Sequence, residues 1–237
     1  MPTVQRVDHE AITVLRLDRP ERRNAMDSQL LGELLDAMAE LAARDDLRAL
    51  VFSTTSEQAL SAGADVAEPL DDAGGVARME AFTRMYAAVE AFPVPTVAVC
   101  VGNVVGAGAE LAAGCDLRVG GHNLKLAWAG ARHGVPVGPA RLMPLVGLSR
   151  AKDLVYTGRV VSAGEAEEIG FLNRVVPATR AEESALELAG QVAAGRPEGL
   201  RQLKAMFRRL GGDAERVAYE NELLVAFQRD GAGLPRG

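Results

Sequence analysis

Residues 93–119 read PVPTVAVCVGNVVGAGAELAAGCDLRV. The PVP run ends the helix pattern before it, because proline lacks a backbone donor and disfavours a helical residue ahead of it. TVAVCVG is an unbroken apolar, β-branched run and reads as a buried strand. It feeds glycines at 102, 106 and 108, and a short helix begins near Ala107. Strand, glycine loop and helix in that order are the grammar of an α/β fold. In the middle sits Glu110, a carboxylate among glycine, alanine and valine. Such a run marks close packing, and a charge there needs a reason.

The chain on either side follows the same grammar. AITVLRL, 11–17, alternates apolar and polar and predicts a half-buried strand. DRPERRNAMD is a loop, and SQLLGELLDAMAELAAR carries Leu31, Leu34, Leu35, Met38 and Leu41 at helical spacing, with Asp27 or Ser28 as its cap. RALVFSTT is a strand, SEQALSAGADVAEP a loop, and 76–92 a second helix. DLRVGG and LKLAW are further strands. After residue 140 the chain turns mainly helical. SAGEAEEIG offers a capping box in Ser162 and Glu165 with Gly170 as a stop, and NRVVP is a short strand. Residues 180–194, 197–210 and 213–229 read as three closing helices. No internal sequence repeat is visible.

Composition narrows the function. The net charge of −6 argues against a nucleic-acid binder, which needs a basic face. No apolar run is long enough to span a membrane, and the first residues, MPTVQRVDHE, carry no signal-peptide stretch, so a cytoplasmic location is expected. Two cysteines, Cys100 and Cys115, make no disulfide framework and suit a reducing compartment. Three scattered histidines without CxxC or HExxH predict no metal site.

Two loops carry the chemical signal. SAGAD, 61–65, follows one strand, and GNVVGAGAE, 102–110, follows another and opens a helix. Small residues admit a ligand close to the backbone, and helix N-termini present free N–H groups. Two such loops side by side can aim two donors at one oxygen, as an oxyanion hole requires. Each loop alone is also compatible with an ordinary tight turn. Gly102, Gly106 and Gly108 do not make GxGxxG, and no Gly-Lys-Ser/Thr follows, so neither a dinucleotide turn nor a phosphate loop fits.

Together these stretches resemble the enoyl-CoA hydratase/isomerase family, the crotonase superfamily, over roughly residues 4–229. LDRPERRNAMD is similar to the family's R-P-x-x-x-N-A-L/M, and SAGADVAE to F-S-A-G-A-D-L. PVPTVAVCVGNVVGAGAELAAGCDLRV is similar to K-P-x-I-A-A-V-N-G-x-A-x-G-G-G-x-E-L-A-x-x-C-D-x-R, and LVYTGRVVSAGEAEEIGFLNRVVP to the stretch beyond the active site. No single motif decides; several in the right order do. The resemblance implies a spiral of ββα units over 1–180 and a helical trimerisation region over 181–237, one continuous family domain. It implies homotrimers or dimers of trimers, and an acyl-CoA thioester substrate with no cofactor beyond the CoA it carries. It implies an oxyanion hole from the backbone N–H of Ala64, after Gly63, and of Ala107, after Gly106. Ala107 stands where glycine is usual. The CoA arm is expected past Arg22 and Ala25 and past Ala62, Gly63, Asp65 and Val66, with Arg22 toward the phosphates or else a plain surface charge. Asp65 is expected to shape its loop, and Lys204 and Arg208 are further phosphate candidates.

The hydratases of the family use two glutamates. The first corresponds to Glu110, as acid/base. The second falls on Gly130, within LAWAGARHG, and GVPVGPARLMPLVG is about three residues shorter than its family counterpart. Hydration uses an acid–base pair, so one carboxylate points to an isomerase or an altered hydratase. Decarboxylation and a non-catalytic acyl-CoA-binding protein are the alternatives. His133 could substitute as acid or base, or be a loop or interface histidine. Trp128 could wall the acyl pocket or sit in the core, and Tyr86 lies on a helix that borders that pocket in the family. Cys115 and Asp116 are assigned no chemistry.

Overall fold

A computed structural model describes residues 1–231, 233 and 234; the remainder of the region expected at 181–237 lies outside the described residues. The strands are β1 (Val4–His9), β2 (Ile12–Leu17), β3 (Ala49–Thr54), β4 (Ala59–Ser61), β5 (Thr96–Cys100), β6 (Asn103–Val105), β7 (Leu117–Gly121), β8 (Lys125–Ala127), β9 (Val161–Ser162) and β10 (Arg174–Val176). The helices are α1 (Ser28–Ala42), α2 (Asp72–Ala91), α3 (Ala107–Gly114), α4 (Pro139–Val146), α5 (Leu148–Thr157), α6 (Ala163–Glu168), α7 (Ala181–Ala193), α8 (Pro197–Gly211) and α9 (Asp213–Asp230). One sheet runs β1-β2-β3-β5-β7-β10 and a smaller one β4-β6-β8-β9. Pairing is parallel except for β1 with β2 and β8 with β9.

The chain reaches this arrangement by repeating one move. β3, β5 and β7 enter the large sheet; β4, β6 and β8 then enter the small one; α2, α3 and α4 follow. This is the spiral of ββα units that the resemblance implies. The repeat lies in structure and not in sequence, because the second strand of each unit spans three residues, too short for a periodic pattern. For the same reason β4 and β6 read as loop. β1 was also missed: it is an edge strand whose residues are half-buried or exposed, so no apolar face marks it.

Strand alternation divides the large sheet between two cores. Val14, Val51, Val97, Val99 and Val119 face α7, which meets them with Ala181, Ala185 and Ala189. Small side chains let that helix lie close. The opposite face carries Leu15, Leu17, Leu50, Phe52, Ala98 and Cys100 into the main core. There α1 contributes Leu30, Leu31, Leu34, Met38 and Leu41, its N-terminus capped by Asp27, whose carboxylate accepts the Leu30 N–H at 2.9 Å. α9 adds Leu224 to the same core. The helices beyond residue 180 thus help cover both faces of the sheet.

Candidate active site

The two glycine loops meet backbone to backbone. A Cβ on Gly63 would lie 3.1 Å from the Val105 carbonyl oxygen and 3.7 Å from the Ala107 nitrogen. Gly63 has φ +102°, a region that disfavours any side chain. Gly108 secures the contact from behind: its Cβ would lie 2.6 Å from the Ser61 carbonyl oxygen, so only glycine lets α3 approach β4 so closely. Gly106 turns with φ +52°, and α3 starts with no side-chain cap, which leaves the first N–H groups of the helix unspent.

The Ala64 N–H is also unspent. Met26 and the first loop pair in parallel, with Met26 N–H donating to the Gly63 carbonyl and Asp65 N–H to the Met26 carbonyl, and this skips Ala64. Among the described residues, neither Ala64 N–H nor Ala107 N–H has a protein acceptor. Both residues line one cavity of about 280 Å³, with Ala62, Gly63, Val66 and Gly106 beside them. The remaining walls are largely apolar, from Met79, Phe82, Val135, Val137 and Leu224, plus Tyr86, Gly130 and His133. Arg22, Ala25 and Asp65 are not among the lining residues. Arg22 lies exposed on the turn Pro20–Arg22. Asp65 is buried, pairs with Arg19 at 3.2 Å and accepts the Ala67 N–H, which holds the loop in shape.

Glu110 is fully buried and is not among those lining residues either. Its Oε2 accepts from Arg141 Nε at 2.6 Å, and the other side of that guanidinium meets Glu220 from α9. Glu220 also accepts the Ala140 N–H at 2.8 Å. The Tyr86 ring stacks on the guanidinium at 4.4 Å. Burial holds the Glu110 carboxyl above the ordinary carboxylate range; Arg141 pulls it down and Glu220 pushes it further up. Glu110 Oε1 and the Trp128 indole N–H are both buried without a hydrogen bond. Trp128 itself is a core residue, packed edge-to-face on Phe171 with centroids 5.5 Å apart.

Comparison with known proteins decides the affiliation. Residues 8–229 match the enoyl-CoA hydratase/isomerase family. The chain belongs to that family. A Bacillus subtilis protein named as an enoyl-CoA hydratase/isomerase is 30% identical, over 95% of this chain and 91% of its own length. A Thermus thermophilus protein named as an enoyl-CoA hydratase is 36% identical over 87% of this chain and 84% of its own. The crystal structure of the Bacillus anthracis enoyl-CoA hydratase superposes with a TM-score of 0.82 at 27% identity, covering 99% of both chains.

Position 130 is where the sequence resemblance places a second glutamate. A Cβ on Gly130 would lie 2.9 Å from Val137 Cγ1 and 3.0 Å from the Val135 carbonyl oxygen. Val135 and Val137 fill the space into which a longer side chain would extend. Lys204, a phosphate candidate from sequence, is spent elsewhere: its ammonium donates to Asp116 at 2.7 Å and to the Val94 carbonyl at 2.9 Å, with 5% of the side chain exposed. Arg208 is half-buried and lines a different pocket, with Glu90 and Arg141. Cys100 and Cys115 are buried free thiols, pushed up to about 12 by burial. Arg141 and Glu220 are the residues that sequence reasoning missed. The signal was present: Arg141 stands in the apolar run of GPARLMPLVG, and a charge there needs a buried partner.

Proposed function

We propose that the protein is an acyl-CoA thioester enzyme that holds the thioester oxygen between the N–H groups of Ala64 and Ala107 and stabilises the enolate formed there, acting as an enoyl-CoA hydratase or isomerase. The pair of unspent donors on one apolar cavity wall carries the reading. Preorganised donors in a site shielded from water favour the charge that develops on the oxygen more than the neutral carbonyl. The apolar walls suit an acyl group, and the exposed Arg22 suits the phosphates at the outer end of CoA. Glu110 holds the position of the family's acid–base carboxylate and lies fully buried, outside the cavity lining. The crowded position 130 favours the isomerase form, because moving one proton between two carbons needs one carrier, whereas adding water draws on two.

No cofactor beyond CoA is proposed. A cytoplasmic setting is supported by the two buried free thiols. Self-association, in the trimer or dimer of trimers that the resemblance implies, is proposed, and the apolar face of α8, where Leu203, Met206, Phe207 and Leu210 are exposed, supports contact between copies. The test of function is turnover of crotonyl-CoA by hydration and of 3-enoyl-CoA by isomerisation, followed chromatographically. Thioester binding without turnover of either substrate overturns it.

A further inference from the structure

We infer that His133 is the proton carrier of the cavity, the group that takes a proton from the acyl chain of the bound thioester and returns one; this rests on the acyl-CoA reading above. Four observations converge on it. First, His133 lines the same cavity as Ala64 and Ala107, and among the described residues the only other ionisable side chain in that lining is Tyr86. Second, Tyr86 is no base: burial, and after it the charge of Glu110, push its phenol far above its ordinary range, so it stays a neutral hydroxyl. Third, among the described residues no carboxylate lines this cavity. Glu110 is fully buried against Arg141, whose other partner Glu220 lines a separate cavity, and a side chain at position 130 would run into Val135 and Val137.

The fourth observation is geometric. Residues Gly130–His133 form a single 3₁₀ turn. Side chains three apart on such a turn eclipse one another. His133 thus follows position 130, where the family resemblance places a second glutamate, by one such turn, and both residues line the cavity. The turn is tied to the wall by the Val135 N–H, which donates to the Gly130 carbonyl at 2.9 Å. The imidazole itself is exposed and has no hydrogen bond or ion pair among the described residues, so both nitrogens are free for chemistry.

The step balances as follows. The imidazole accepts the proton from the carbon next to the thioester carbonyl. The electron pair of that C–H bond becomes the C=C bond of the enolate, and the carbonyl π pair moves to oxygen, where the two N–H groups hold it. The imidazolium then returns its proton to the same carbon, or to the far carbon of a 3-enoyl chain, and the carbonyl re-forms. No oxidant or co-reactant is required.

The test is deuterium exchange at the carbon next to the carbonyl of butyryl-CoA in D₂O, read by mass spectrometry. It needs only binding, an oxyanion hole and a base, so it does not depend on which final reaction is physiological. His133→Ala is expected to slow exchange by about 10²–10⁴-fold, the usual worth of a positioned acid–base group, with KM little changed. Added imidazole is expected to restore part of the rate, which a merely structural histidine would not allow. His133→Gln is expected to be as slow as His133→Ala while keeping the same fold by circular dichroism. Exchange that survives both substitutions overturns the assignment to His133 and leaves the acyl-CoA reading intact. Exchange lost in Glu110→Gln but kept in His133→Ala moves the proton to Glu110. No exchange by the unaltered protein, with butyryl-CoA bound, overturns enolate chemistry and the histidine together.

Discussion

Arg141 shares one guanidinium between two carboxylates, Glu110 and Glu220, and its side chain and that of Glu110 are wholly buried. Arg141→Met keeps much of the length and removes the charge. Glu110 then loses its 2.6 Å bond, while Glu220 keeps only the Ala140 N–H. Stranding a buried ionic partner costs about 3–5 kcal/mol, a large share of the roughly 5–15 kcal/mol that holds a domain folded. At about 2–4 °C per kcal/mol for a chain of this size, the melting temperature falls by roughly 6–20 °C. The loss depends on pH in a definite direction. Arg141 lowers the carboxyls of Glu110 and Glu90, which burial otherwise raises. Without it they rise further, and the folded state holds protons that the unfolded chain has released. Stability then falls as pH climbs from the unfolded carboxyl range through the folded one. Urea unfolding at about pH 5 and about pH 8 measures both effects, and the deficit is expected to be smaller at the lower pH. A deficit under about 1 kcal/mol at the higher pH, or one that is no smaller at the lower pH, refutes the buried-network reasoning.

Gly63→Ala puts a methyl group 3.7 Å from the Ala107 nitrogen at φ +102°; enolate exchange is expected to fall by about 10²-fold or more, and an unchanged rate rules out the hole at Ala64 and Ala107. Gly130→Glu restores the family residue but drives its Cβ into Val137 and Val135, so it is expected to lower stability by about 1–3 kcal/mol without conferring hydratase activity; a stable variant that hydrates crotonyl-CoA refutes the filled-pocket account. Lys204→Met removes a buried ammonium from Asp116 and Val94 and is expected to cost about 1.5–3 kcal/mol in urea unfolding with the KM for acyl-CoA unchanged; a raised KM returns Lys204 to the phosphates. Phe207→Glu, on the exposed stripe of α8, is expected to give monomers by light scattering where the unaltered chain assembles.

What the sequence made legible, and what it hid, follows from the range of the interactions involved. The strand at 96–100, the glycine turn and the helix from Ala107 are local, and a window of a dozen residues contains their causes. The small sheet is not local. β4 and β6 exist because separated triplets lie side by side, and neither has a periodicity of its own; β8, inside LKLAW, is the strand of that sheet that the sequence shows. The same distinction separates the two halves of the site. Ala64 and Ala107 donate from backbone, so loop type alone locates them, and glycine content is the mark of loop type. Glu110 is different, because the role of a carboxylate is set by what faces it. Here that is Arg141 from α4 and, through it, Glu220 from α9, neither predictable from spacing. His133 lies between these cases. The resemblance marks Gly130, three positions before it, as lacking a glutamate, but only the turn Gly130–His133 and the packing of Val135 and Val137 show that His133 lines the cavity while position 130 is crowded. The packing of Val135 and Val137 against Gly130 therefore bears on which group can reach the substrate. The oxyanion hole, built on other segments, is untouched by it. A family can in this way keep its enolate chemistry while changing the group that moves the proton.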